Sequence, residues 1–364
     1  MIQWWLPDDS HWLTDSYLAG RGKEIANRFV VSGYGALAGP VSLRARAHLF
    51  SGLDQLTAVE RDAVAEVWDT LAERRPSVRL LNDPRRVHTR RALLTRLHAE
   101  GINQYRVFAA HDVELVDRFP VFVRSDRRHD GPLTGLLDSR AAIHRAIRSL
   151  RARGESLDDL MIVEHVDARD PDGFCRKYAA FRVGDHILPA HVLANGHWAV
   201  KSEGSERSLA MVREEAAFQS EGRYNDWIRR AFDIAGIDYG RIDFGVVRGQ
   251  PQVWEINMHP TIGRGRASAA KPRPDDEISR ALDEIRAAFH ARLRSAFAAL
   301  DDETIPEPEV LTISLGAQRA AAITARQRAV ARRARVRALL MQVYSAAAIG
   351  RPLRWMFRRL VPRA

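Results

Sequence analysis

Two carboxylates, a guanidinium and an amide lie within residues 239–257 at spacings that put them on one surface. Arg241, Asp243 and Gly245 alternate with Ile242, Phe244 and Val246, and Glu255 and Asn257 alternate with Trp254 and Ile256. Each run therefore predicts a strand with one polar and one apolar face. Arg248, Gly249, Gln250 and Pro251 supply a turn. A hairpin centred near Gly249 sets Asp243 opposite Glu255 and Arg241 opposite Asn257, with facing Cβ atoms roughly 5 Å apart. Carboxylates that close repel unless a proton or a cation lies between them, and carboxylate and amide oxygens are the hard ligands Mg²⁺ takes, commonly with phosphate completing its shell. The spacing predicts a magnesium–nucleotide site at Asp243, Glu255 and Asn257. The bland alternative is an edge hairpin whose polar face meets water.

The elements that would position this hairpin lie upstream in a consistent order. Leu81, Asn82, Asp83 and Pro84 precede a helical run that ends at Gly101 and Ile102. Strands follow at 105–109 and 121–123, then a helix over about 139–153 and a strand at Met161 to Val166. Residues 176–192 read as two strands around Gly184 and Asp185. With the hairpin, this order resembles the ATP-grasp superfamily, which includes D-alanine:D-alanine ligase and glutathione synthetase, over about residues 80–300. The resemblance implies an α/β (α+β) chain: an N-terminal pre-ATP-grasp α/β domain over 1–80, an ATP-grasp domain over 81–300, and a linker with a basic helical tail over 301–364.

The same resemblance implies site residues. Asp243, Glu255 and Asn257 would hold Mg²⁺, and Arg241 would stabilise an acyl phosphate or a tetrahedral oxyanion. Backbone groups of Glu164, His165 and Val166 would meet the adenine edge of ATP, and Asp170 or Asp172, with Asp172 preferred, the ribose. The sequence departs from the family where two nucleotide-binding lysines are expected: Arg90 stands at the first place and Arg124 at the second. Arginine keeps the charge and forks onto phosphate oxygens, but it is longer and planar. The phosphate loop, 125–135, has only two glycines and adds Arg127 and Arg128 as candidates for a phosphate cradle. Of Lys177 and Arg182, both on the 176–183 strand, Arg182 is the favoured phosphate contact; a snorkelling surface cation is the alternative for each.

Length and composition agree with an enzyme of this size. The 364 residues, 46% hydrophobic and 28% charged, suffice for one large core or two to three smaller ones. Cys175 is the single cysteine, which excludes an internal disulfide and reads as a packing residue. The start of the chain lacks a basic segment and meets Pro7, Asp8 and Asp9 before any long apolar run, so a cytoplasmic location is expected. The formal charge of +10 is uneven: residues 311–364 hold twelve arginines and no acid, which leaves −2 for the rest. Basicity therefore says nothing about the catalytic body and points instead to the tail. There Trp355, Met356, Phe357 and Leu360 interleave with arginines, a composition suited to an anionic membrane surface. A packed basic helix is the alternative, nucleic acid is less favoured, and a homodimer is possible in this family.

Near the N-terminus, Thr57 and Glu60 form a capping box for a helix, and Trp4, Trp5 and Trp12 more naturally fix the terminus to the core than contact substrate. Gly33 and Gly35 are too isolated to make a dinucleotide loop, and the histidines have no zinc-like spacing. The function implied is an ATP- and Mg²⁺-dependent ligase that joins an unidentified carboxylate to an amine through an acyl phosphate, forming a carbon–nitrogen bond. An ATP-grasp kinase and a noncatalytic nucleotide-binding scaffold are the alternatives.

Overall fold

A computed structural model describes residues 1–128, 131–202, 204–263 and 276–346. The N-terminal part comprises β1 (Ile2–Leu6), α1 (His11–Ala19), β2 (Phe29–Gly33), β3 (Val41–Leu43), β4 (Ala47–Phe50), α2 (Ala58–Arg74) and β5 (Arg79–Leu81). β2, β1, β4 and β5 form a parallel sheet in that order. Every residue of β1 is buried, as expected for a parallel strand covered on both faces. Trp4 packs against Phe29, Tyr239 and Phe297, and Trp5 stacks between Tyr34 and Phe50, so both anchor the terminus, whereas Trp12 is 46% exposed. The capping box starts α2 as its sequence predicts: Thr57 Oγ1 accepts from the Glu60 amide, and the Glu60 carboxylate accepts from the Thr57 amide at 2.7 Å.

The middle of the chain builds two antiparallel sheets. α3 (Arg90–Ala99), β6 (Val107–Ala109), β7 (Val121–Ser125), α4 (Arg140–Ala152) and β8 (Leu160–Glu164) come first, with strand order β6-β8-β7. Ile143, Ile147 and Leu150 recur at helical spacing on α4 and join a core with Val121, Val123 and Ile162. Next come β9 (Cys175–Val183), β10 (His186–Asn195), α5 (Leu209–Glu221), α6 (Asn225–Ala235), β11 (Tyr239–Val247), β12 (Gln250–Asn257) and α7 (Glu277–Ala298). Their sheet has the order β10-β9-β11-β12. Asn82, buried at φ 67°, ties this sheet to the first. Its amide nitrogen donates to Phe50 O and Tyr239 O, and its oxygen accepts from the Asp238 and Tyr239 amides, so the side chain is fully satisfied.

The described part of 301–364 differs from the separate linker and tail that the sequence predicts. Asp301 binds the N-terminal amine, Arg28 and Arg46; β13 (Leu311–Ile313) pairs antiparallel with β3; and α8 (Ala317–Ala346) packs on α2 and on the turn after β2. Burial of Leu311, Ile313 and Ile323 draws this segment back onto the N-terminal part of the chain. Likewise, the boundary drawn at 80/81 falls inside β5. The aromatic and arginine-rich stretch 351–361 lies outside the described residues, among which no helix is long and apolar enough to cross a membrane.

Candidate active site

β11 and β12 pair Asp243 with Glu255 and Arg241 with Asn257, the register expected for a hairpin centred near Gly249. A bulge makes that register possible. Near the turn Val247 faces Gln250 and Phe244 faces Val253, which continued without interruption would set Asp243 opposite Trp254. The extra residue, Trp254, shifts the pairing so that Glu255 meets Asp243, and Trp254 and Glu255 both line the same cavity. Gly245 accommodates the displaced indole: a Cβ there would sit 2.7 Å from Trp254 Cζ2. Tyr105 packs on Trp254, and its hydroxyl donates to Val253 O beside the bulge.

The hairpin's polar face opens into a cavity of about 520 Å³. Arg241 Nε donates to Asp243 Oδ1 at 2.7 Å, and Lys177 Nζ lies 3.0 Å from Asp243 Oδ2. Arg124 Nη2 donates to Glu255 Oε2 at 2.9 Å, with Arg90 Nη2 at 3.4 Å from the same oxygen. Burial pushes the Asp243 carboxyl up, but Arg241 and Lys177 outweigh it and hold the group well below the usual carboxylate range. Burial, with Arg241 adding to it, pushes the nearby His191 imidazole down to about 3, so it is neutral. Four cations thus surround two carboxylates, an excess of positive charge suited to an anionic occupant.

Asp243, Glu255 and the Asn257 amide border one cavity with hard oxygen donors, and this donor set fits Mg²⁺, which leaves part of its shell to water and phosphate. Among the described residues no group of three or more His, Cys, Asp or Glu gathers as a metal site.

β8 and β7 form another wall. Glu164, His165 and Val166 border the cavity at the end of β8. The Glu164 amide donates to Arg106 O and the His165 amide to Pro120 O, which leaves Val166 as the one of the three whose amide no other described residue engages. Glu164's carboxylate accepts from the Arg106 amide at 2.8 Å and from Arg106 Nε at 2.9 Å. Trp198, on the loop after β10, packs against Phe122 and His165 with centroids 4.9 and 5.4 Å away, adding an aromatic surface to this wall.

Several residues singled out in the sequence lie elsewhere. Arg182 is turned out of the cavity, donating to Gly184 O and bonded to Asp233 at 2.5 Å. Residues 177 and 182 are an odd number apart, so β9 presents them on opposite faces, and Lys177 is the one that enters. Asp172 pairs with Arg176 at 2.6 Å in a shallow surface cluster with Asp170 and Glu214. Arg128 pairs with Glu155 at 2.7 Å, and the amides of Arg127 and Arg128 already donate to Ser125 Oγ. Neither arginine borders the cavity, although Gly131 and Pro132 of the same loop do. Strand parity set Lys177 and Arg182 on opposite faces without saying which face meets the cavity, and nothing in the local sequence singles out Trp198.

No protein-family model matches the chain, and no curated protein matches it. Solved structures do. The ATP-grasp ligase PsnB complexed with a minimal precursor is 14% identical, with a TM-score of 0.50, over 82% of this chain and 98% of that one. A RimK domain ATP-grasp protein from Sphaerobacter thermophilus is 15% identical, with a TM-score of 0.44, over 79% and 97%. D-alanine–D-alanine ligase from Bacillus anthracis complexed with ATP is 13% identical, with a TM-score of 0.40, over 81% and 98%. At such identities the likeness is one of fold. The match to PsnB covers 82% of this chain, and on it the chain shares the fold of that ATP-grasp ligase.

Proposed function

We propose that the protein is an ATP-dependent carboxylate–amine ligase acting through an acyl phosphate. The observation that carries this reading is the hairpin face: Arg241, Asp243, Glu255 and Asn257 border one cavity in which cations outnumber carboxylates. A carboxylate does not condense with an amine directly because oxide is a poor leaving group. In the proposed reaction a substrate carboxylate oxygen attacks the γ-phosphorus of ATP, the bond to the β-phosphate oxygen breaks, and ADP departs. The amine nitrogen then attacks the acyl carbon, the carbon–oxygen bond to phosphate breaks, and the amine loses a proton. No protein nucleophile is needed, so Cys175, whose thiol is pushed up by burial, has no covalent role.

Each chain residue has a physical task in this reading. Arg241 is fixed by Asp243 before substrate arrives, so its remaining donors face the charge that develops on the acyl group without reorganisation. Lys177 and Arg124 supply cationic charge for the phosphates. Trp198, Phe122 and His165 offer an aromatic surface, and Val166 a backbone donor, to the base. Asp243, Glu255 and Asn257 would hold Mg²⁺, which when bound neutralises phosphate charge.

Calorimetric titration with a nonhydrolysable ATP analogue, with and without Mg²⁺, tests the site on the wild type and Asp243→Asn. Magnesium-dependent binding that the substitution removes supports the reading; a folded wild type that binds no analogue counts against it. Once a substrate is found, hydroxylamine capture of an acyl phosphate marks the ligase, whereas a stable phosphorylated product marks a kinase.

A further inference from the structure

Arg90 stands where a nucleotide-contacting lysine is expected, yet its guanidinium is spent on the protein itself. Nη1 donates to Ser125 O at 2.9 Å, Asp126 O at 3.2 Å and Arg128 O at 2.9 Å, while Nη2 reaches Glu255 Oε2 at 3.4 Å. The side chain is 7% exposed. The loop it holds is braced from other directions too: Ser125 Oγ donates to Asp159 Oδ2 at 2.7 Å, and Asp126 Oδ1 accepts from the Arg91 amide at 2.6 Å. One planar fork therefore joins the start of α3, the loop after β7 and the hairpin carboxylate. A lysine ammonium carries three donors at one point on a shorter stem, so it cannot hold all three carbonyls and the carboxylate together.

We propose that Arg90 is a positioning residue that staples the loop after β7 to α3 and to Glu255, and that it does so in place of contacting a phosphate. The proposal rests on the nucleotide reading of this cavity and changes the role of one residue within it. Arginine rather than lysine at this place then follows from geometry: the charge is needed, but so is the fork. Three backbone carbonyls converging on one group without it would be left facing each other.

Two readouts on Arg90→Lys and Arg90→Met decide the matter. The first is hydrogen exchange of the ligand-free protein at the amides of Asp126, Arg127 and Arg128, which are bonded to Asp159 O and Ser125 Oγ. The amide of buried Phe232 in α6 reports global unfolding, and the readout is the excess of loop exchange over it. The second is titration with Mg²⁺ and ADP. In the staple reading both variants raise loop exchange by at least about tenfold relative to that control, and lysine does not recover the nucleotide affinity that methionine loses. Loop protection kept in either variant, or wild-type ADP affinity restored by lysine, overturns the proposal. A wild type that binds no ADP would sink the nucleotide reading instead, and loop exchange alone would then decide the staple.

Discussion

Lys177 and Arg182 are two cations on one strand with opposite fates. Lys177 shares Asp243 with Arg241 inside the cavity, while Arg182 spends its charge on Asp233 outside it. Removing Lys177 takes one of two cations from a buried carboxylate and one positive charge from the phosphate side of the cavity. Lys177→Met is expected to lower ATP turnover by about a hundredfold, on the scale of other electrostatic groups removed from active sites. Arg182→Met is expected to stay within about threefold of wild type, since it loses only a partly exposed pair. Steady-state kinetics of both variants checks this; equal losses would mean that β9 is not oriented as described.

At the scale of elements, the bulge in β12 decides whether the two carboxylates face each other. It persists because Gly245 leaves space for the Trp254 ring and because Tyr105 packs against that ring. Gly245→Ala places a methyl group 2.7 Å from Trp254 Cζ2, so the indole or the strand must move. The expected outcome is a loss of turnover of about tenfold from misplacement of Glu255, with a stability cost of about 1–3 kcal/mol. Kinetics and urea denaturation measured side by side test this; a drop in stability with unchanged turnover would show that the bulge does not set the position of Glu255.

At the scale of the whole molecule, the segment after Leu300 is structural. Truncation after Val310 removes Leu311, Ile313 and Ile323 from the core together with the Arg319–Glu66 and Arg326–Glu60 pairs. Loss of three buried aliphatic side chains is expected to destabilise the protein by about 5 kcal/mol, visible as a lower urea midpoint. An unchanged midpoint would mean that β13 and α8 contribute nothing to the stability of the N-terminal part.

Acid sensitivity is a property of the N-terminal sheet. His48 lies in β4 and accepts from Trp5 Nε1 at 3.4 Å, and burial pushes its imidazole down to about 3 from an ordinary 6.5. The unfolded chain then binds a proton between pH 6.5 and 3 that the native protein does not, so stability is complete above pH 6.5 and falls as the pH is lowered through that interval. The slope is at most about 1.4 kcal/mol per pH unit for this group. Urea denaturation at several pH values should show a shallower slope in His48→Gln than in the wild type, whatever the variant's absolute stability. His191, neutral for the same reason, adds a contribution of the same sign.

The hairpin, its polar face, the α2 cap and the order of the elements were legible in the sequence because each depends on residues close together in the chain: strand alternation, turn residues and a three-residue capping interval. The pairing of Asp243 with Glu255 was expected from a hairpin centred near Gly249, whereas in the structure the register leaving the turn reaches it only through the bulge. Tertiary structure decided the remainder. Which of two cations entered the cavity depended on the orientation of β9, and Trp198 reached Phe122 and His165 from a loop distant in sequence. Arg90 became a partner of loop carbonyls because folding brought 90 and 125–128 together. The arginine-rich segment that composition sets apart as a tail packs, in its described part, on β3, α2 and the turn after β2, because burial of a few aliphatic side chains depends on contacts that composition cannot express.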